Sequence, residues 1–284
     1  MFNLAQRNLK LFFRDKSTVF FSLLAVFIII GLYVLFLGDT IAKDMTEIKD
    51  ARFLMDSWIM GGLLAVTSVT TTMGAFGTMV VDRANGHSKD FYASPLKRYQ
   101  IAGGYVISSF MVSIIMCMIT FILAEIYIIA NGGELLPMLS MVKVAGIILL
   151  SALSSSAMVF FLVSFFSSIN AFSTGSTIVG TLIGFLTGIY IPIGNLPDAV
   201  QFIVKIFPVT HAGVLFRQVF MAEPLETAFG DLPANVGDSF KEELGIILRF
   251  GDQTLQAGTH ILVLVGVTII FFGLAVWNIS RKKS

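Results

Sequence analysis

Cysteine is almost missing from this chain: Cys117 is the single one in 284 residues. An internal disulfide framework and a cysteine-based zinc cluster are therefore excluded. Histidine is as sparse. His87, His211 and His260 lie far apart and form no ligand spacing, so no metal site is expected. Charge is scarce too. Only 13% of the residues are charged, where a soluble domain carries about a quarter, and so few charges cannot cover a water-facing surface of this size. Proline is rare and no Ser/Gly-rich linker divides the sequence, which reads as one domain over 1–284. Chemical motifs are missing as well. There is no G-x-x-x-x-G-K-S/T phosphate loop, no H-E-x-x-H, no G-x-S-x-G and no dinucleotide fingerprint. No catalytic residue, cofactor site or nucleic-acid partner is expected, and the chain alone cannot power work. A membrane enzyme would need a cluster of His, Asp or Glu near an interface, and none is found.

What the sequence has in abundance is apolar length: 56% of it is hydrophobic. A helix needs ~20 apolar residues to cross a bilayer core, and six runs are read as spans, at about 18–37, 58–81, 103–130, 144–166, 172–191 and 260–279. Ahead of them, residues 1–17 place Leu4, Leu9, Phe12 and Phe13 on one face of a helix, with Arg7, Lys10 and Arg14 largely opposite. That pattern suits an amphipathic helix lying at a membrane surface. A signal peptide is the rival reading, but 18–37 is long for a signal core and no A-x-A-like cleavage site follows. Between the last two spans lies a long loop, 192–259. Its first part, Leu196–Met221, is apolar but broken by Pro208, which suits short helices dipping into the outer leaflet. Further on, Ser239-Phe240-Lys241-Glu242 has the form of a capping box and predicts a short helix from there to about Phe250. The expected fold is all-α and transmembrane: six spans, an amphipathic N-terminal interface helix, and short outer-leaflet helices between the fifth and sixth spans.

Orientation follows from basic residues in short segments near span ends. The N-terminus, the 82–100 loop, the 167–171 turn and the C-terminus together hold eleven Lys/Arg against three Asp/Glu, whereas the opposite side holds eight against fourteen. Both termini are therefore expected in the cytoplasm, which requires an even number of spans.

Polar and small residues inside the spans offer candidate sites. Glu125 is the only acid well inside one, toward the outer end of the third; a helix-paired role and a substrate-facing role are both open. In the second span Thr67, Thr70, Thr71 and Thr72 either satisfy local carbonyls or line a wet cavity. Gly180, Gly184 and Gly188 recur at every fourth position of the fifth span. Such a stripe lets another helix approach closely, within the subunit or from a partner.

Two segments have a recognisable outline. Val81–Tyr105, VDRANGHSKDFYASPLKRYQIAGGY, carries Asp82-Arg83, Gly86, Ser94-Pro95 and Lys97-Arg98 between two spans. Ile191–Phe220 follows the fifth span with Leu196-Pro197, Pro208, His211 and Arg217. In this order and at these positions they resemble the ABC type-2 transporter permease family, the membrane halves of bacterial ABC exporters. The resemblance implies a permease in the bacterial cytoplasmic membrane that pairs with a second permease subunit and docks on a separate ABC ATPase, which binds the ATP and Mg. The 82–100 loop would hold the coupling helix, with Arg83, Lys89, Phe91, Tyr92 and Pro95 as its contact set and Arg14 available for salt bridges. The Thr and Gly stripes would face a central cavity or the dimer interface, and Pro208, His211 and Arg217 would belong to an extracellular gate. A cavity lined by Thr, Ser, Gly, Phe and Met suits an amphipathic or apolar cargo such as a drug, peptide antibiotic or lipid. The rival reading is an ion-gradient-driven secondary transporter or channel, working through Glu125 without an ATPase.

Overall fold

A computed structural model of the chain describes residues 1–33, 35, 50–230 and 234–281. The described residues are largely helical. In chain order the helices are α1 (Phe2–Arg14), α2 (Lys16–Ser22), α3 (Leu24–Leu32), α4 (Ala51–Ala84), α5 (His87–Ala93), α6 (Arg98–Ala130), α7 (Met138–Val163), α8 (Ile169–Leu186), α9 (Asp198–Ile206), α10 (Pro208–Phe220), α11 (Ala222–Phe229), α12 (Ala234–Glu243) and α13 (Ala257–Arg281), with a two-strand hairpin of β1 (Arg249–Phe250) and β2 (Gln253–Thr254) before the last. Five of these, α4, α6, α7, α8 and α13, are long and apolar enough to cross a membrane, and the bent pair α9–α10 would make a sixth.

The first expected span looks different from the sequence pattern. The chain breaks at Leu23 into α2 and α3, and residues 34 and 36–37 of that run lie outside the described residues. Asp15 fixes the start of α2 by accepting the backbone N–H groups of Ser17 and Thr18, each at 3.1 Å, the arrangement that satisfies the unpaired donors of a helix N-terminus.

Helix α4 is the centre of the bundle; α1, α2, α3, α6, α7, α8 and α10 all pack on it. Its sequence explains why. Small residues let neighbours come close, and along α4 they sit where neighbours arrive: a Cβ at Gly61 would stand 3.1 Å from the Arg217 backbone, one at Gly74 3.2 Å from Ser22 Cβ, and one at Gly77 3.3 Å from the Phe172 ring. Hydroxyls then tie the helices together where no water can serve the backbone. Ser151 of α7 donates to Ser68 Oγ at 2.8 Å, Ser155 meets the same oxygen at 3.0 Å, and Ser113 of α6 reaches the Ser68 carbonyl at 3.1 Å. Below this network Phe76 stacks on Phe160 with ring centroids 5.6 Å apart, and Phe160 in turn meets Phe272 of α13.

The end of the molecule rich in acidic side chains is built from turns. After α8 the chain makes a Schellman turn: Ile189 N–H reaches the Gly184 carbonyl, Gly188 N–H reaches that of Phe185, and Gly188 takes φ 68°. The apolar run to Ile191 therefore continues outside the helix. Pro208 sits at the first position of α10, and the extended conformation forced on Phe207 before it sets α9 and α10 85° apart. The expected helix from Ser239 to Phe250 is corrected. Ser239 lies inside α12, which stops at Glu243 because Gly245 (φ 64°) closes a second Schellman turn, Ile246 N–H to the Lys241 carbonyl; residues 249–250 then enter the hairpin.

Core packing predicts the pattern of stability. Phe76→Ala should cost about 3–5 kcal/mol and lower the melting temperature of the detergent-purified protein. Ile269→Ala, at a side chain 68% exposed on α13, should stay within about 0.5 kcal/mol of the parent. Thermal unfolding followed by tryptophan fluorescence compares the two.

Candidate functional site

The end of the molecule bearing Arg7, Arg83, Lys89 and Arg98 converges on one carboxylate. Helix α1 buries Leu4, Ala5, Asn8 and Phe12 and keeps Lys10 and Arg14 exposed, as its amphipathic pattern predicts. It settles on α6 because Gly104 leaves room for Leu4; a Cβ there would lie 2.9 Å from the leucine side chain. This docking brings Arg7 to Asp82 in the last turn of α4. The guanidinium grips the carboxylate bidentately, Nη1 to Oδ2 at 2.8 Å and Nη2 to Oδ1 at 3.0 Å. Tyr105 of α6 donates to Oδ2 at 2.6 Å, and His87 Nδ1 stands 3.2 Å from Oδ1. Asp82 is only 3% exposed; a charge so buried persists only when paired and hydrogen-bonded, and here four elements supply or surround the pairing. The hydrogen bond to Asp82 also raises the pKa of Arg7. At the end of α1, donation from the Thr18 hydroxyl and then from backbone N–H groups holds the exposed Asp15 carboxyl below its ordinary value.

Helix α5 hangs from this hub. Gly86 takes φ 82° to turn the chain out of α4, a conformation that costs other residues more. Ser88 then donates to the Asp82 carbonyl at 3.1 Å, and Ser94, ahead of Pro95, donates to that of Phe91. Phe91, one of the residues expected to contact an ATPase, is half-buried against the core, with the Arg7 guanidinium 5.4 Å over its ring. Lys89, Asp90 and Pro95 form the exposed side; the Tyr92 side chain lies outside the described ones. Arg83 faces inward and donates to the carbonyls of Phe166 (3.2 Å) and Val163 (3.4 Å), capping the end of α7 as a cation favours. Arg14 is exposed at the end of α1.

Between α1–α3 on one side and α4 and α8 on the other runs a cleft of about 960 Å³, from Asp15 and Asp82 at the basic end to Tyr190 at the far end. Its walls are mostly apolar, with Thr70, Ser173, Ser176, Thr177 and Thr181 supplying hydroxyls. Of the expected cavity residues only Thr70 and Gly180 line it. Thr67 and Thr71 are fully buried within the subunit and donate to the carbonyls of Leu63 and Thr67 in their own helix; a helix carbonyl is the nearest acceptor where water is absent. The glycine stripe also divides. Gly180 is open to the cleft, Gly184 is covered by the Tyr190 ring, and Gly188 is a turn residue beyond the helix.

At the opposite end the expected gate residues sit on α10. Pro208 starts the helix, His211 Nδ1 meets His260 Nδ1 of α13 at 2.7 Å, and Arg217 is fully buried with its guanidinium 4.7 Å over the Trp58 ring. Glu125 is buried and accepts the Leu136 N–H at 3.1 Å, fastening the loop after α6. Among the described residues no group of three His, Cys, Asp or Glu stands close enough to hold a metal ion.

The sequence reading missed Asp82, Arg7, Tyr105 and His87 as one unit. Its only signal was the Asp82-Arg83 pair, because Arg7 lies 75 positions away and meets Asp82 only once α1 has docked.

A family model described as ABC-2 type transporter matches residues 1–221, which takes in the Asp82 hub, α5, the cleft and α10. No curated protein matches the chain.

Removing the hub's charge tests its role. Asp82→Asn should destabilise the protein by about 1–3 kcal/mol and release α1, lengthening a spin-label distance between exposed positions 10 and 99. Arg7→Lys, which loses the bidentate geometry, should give an intermediate release.

Proposed function

The chain belongs to the ABC-2 type transporter family, and from that premise we propose that it is the permease subunit of an ATP-driven exporter in a bacterial cytoplasmic membrane, with the basic end and both termini in the cytoplasm. As a family member it is a membrane component of an ABC transporter. ATP and Mg bind a separate ATPase subunit, and α5 is the coupling helix that meets it. The observation that carries this reading is the Asp82 hub. A short helix can transmit motion only if it is rigidly joined to what must move, and α5 is joined to Asp82 of α4, the helix at the centre of the bundle, by His87 at the carboxylate and Ser88 at the backbone carbonyl, while the same carboxylate holds α1 and α6. Lys89, Asp90 and Pro95 present the exposed face to the ATPase, Phe91 clamps the helix to the permease, and the exposed Arg14 is available for an ion pair.

A second permease subunit completes the assembly. Helix α8 carries Ser173, Thr177 and Thr181 on a face that this subunit leaves uncovered. Hydroxyls in that number suit a partner helix or a wet cavity better than lipid. Closed by the partner, the cleft holds an amphipathic or apolar cargo. The ion-gradient alternative receives less support, since Glu125 is tied to the Leu136 backbone rather than free within the bilayer.

Deleting residues 88–96 tests the assignment. Membrane insertion should be retained, while stimulation of the partner ATPase by the permease should fall to the basal level; Lys89→Glu should weaken it about tenfold. Unchanged stimulation in the deletion would remove α5 from the coupling path.

A further inference from the structure

Asp82 on α4 and Arg217 on α10 are both buried charges, and they are treated oppositely. Asp82 has every partner its carboxylate needs. Arg217 has none. It is fully buried, and among the described residues nothing accepts a hydrogen bond from its Nε, Nη1 or Nη2, nor does any carboxylate stand within ion-pair reach. Among the described residues the Trp58 face is its one electrostatic contact, at 4.7 Å. A guanidinium is a planar fork of donors matched to carboxylate and phosphate oxygens, and burying it unpaired is costly.

What covers the guanidinium is thin and hinged. A Cβ on Gly62 would stand 2.8 Å from both Nη2 and Ile189 Cγ1, so the Ile189 side chain lies against the same spot as the guanidinium edge. Ile189 follows Gly188, the turn residue at φ 68°, and precedes Tyr190, which lines the cleft. On the other side the segment Leu244–Ile246 is laid over the site by two side-chain bonds, Trp58 Nε1 to the Leu244 carbonyl at 2.7 Å and Gln218 to that of Ile246 at 3.1 Å. The guanidinium itself does not line the cleft; it lies beside Ile189, whose neighbour Tyr190 does.

We propose that Arg217 is an anion-recognition residue for the cargo: a phosphate or carboxylate head group arriving along the cleft displaces Ile189 and takes the guanidinium fork, so the transported molecule is an anionic amphiphile. This deepens the permease reading and rests on it for the identity of the ligand as cargo. The same chemistry is available from a free anion, and the test separates the two sources.

The chain has two tryptophans, so a Trp277→Phe background leaves Trp58, stacked on the guanidinium, as the reporter. The full chain in neutral maltoside micelles is titrated with dodecyl phosphate, inorganic phosphate and dodecyltrimethylammonium while Trp58 emission is followed. Dodecyl phosphate should shift the emission saturably and dodecyltrimethylammonium should not. Arg217→Gln should raise the midpoint about tenfold or more, the loss of a charge-assisted pair, and Ile189→Ala should lower it about threefold by thinning the cover. A response to inorganic phosphate at the same midpoint, with the same dependence on Arg217, supports the anion site and makes a free anion its ligand. An equal response to the cationic amphiphile, or a midpoint indifferent to both substitutions, overturns the proposal. If Arg217→Gln does not fold, Ile189→Ala decides alone, and an unmoved midpoint counts against the site. No ATPase is present in this assay, so its failure leaves the permease reading standing, and failure of the coupling test leaves this site standing.

Discussion

The pairing of Arg7 with Asp82 is the constraint on which the basic end of this molecule depends. A carboxylate this buried must be neutralised in place, and only a docked α1 brings the guanidinium to it. The same carboxylate takes the Tyr105 hydroxyl and faces His87, so the amphipathic helix, the central helix, the long α6 and the short α5 are fixed relative to one another by one group. An amphipathic helix held only by lipid could slide along the surface. Held by Asp82, it becomes part of a frame on which α5 is mounted.

Much of this was legible in the sequence because the bilayer allows few solutions. Long apolar runs must be helices, and the runs on α4, α6, α7 and α13 stand out by length alone. The Gly86 turn and the Pro95 stop bracket α5, and Pro208 marks the bend between α9 and α10. Periodicity does not say which way a side chain turns. Phe91, named for the contact set of the coupling helix, is half-buried beneath Arg7. For the threonines of α4 the sequence left two roles open, a local carbonyl or a wet cavity; Thr67 and Thr71 take carbonyls of their own helix, and Thr70 lines the cleft. The regular spacing of Gly180, Gly184 and Gly188 suggested one packing stripe, but the helix ends before Gly188 and the three glycines do three different things. The capping-box pattern at Ser239 was outweighed by Gly245, whose positive φ ends α12. Partners far apart in sequence, such as Arg7 and Asp82, leave no local pattern to find.

The two ends of the bundle show contrasting uses of buried charge. At the basic end a charge is fully paired, and the pairing fixes four helices relative to one another. At the acidic end Arg217 is buried and, among the described residues, only the Trp58 face meets its charge, with Ile189 and a three-residue strap against it. A satisfied charge resists rearrangement, whereas an unsatisfied one favours any rearrangement that brings it a partner. The first suits a coupling joint and the second suits a place where a ligand is met and released.

The central claim, that the chain works only with an ATPase mounted on α5, is tested most directly by isolating the protein from its native host in nanodiscs and identifying by mass spectrometry what accompanies it. The account predicts a protein carrying a phosphate loop in about one-to-one ratio, and its loss when Asp82→Asn loosens the joint that holds α5. A preparation with no such partner and no ATP hydrolysis would contradict it.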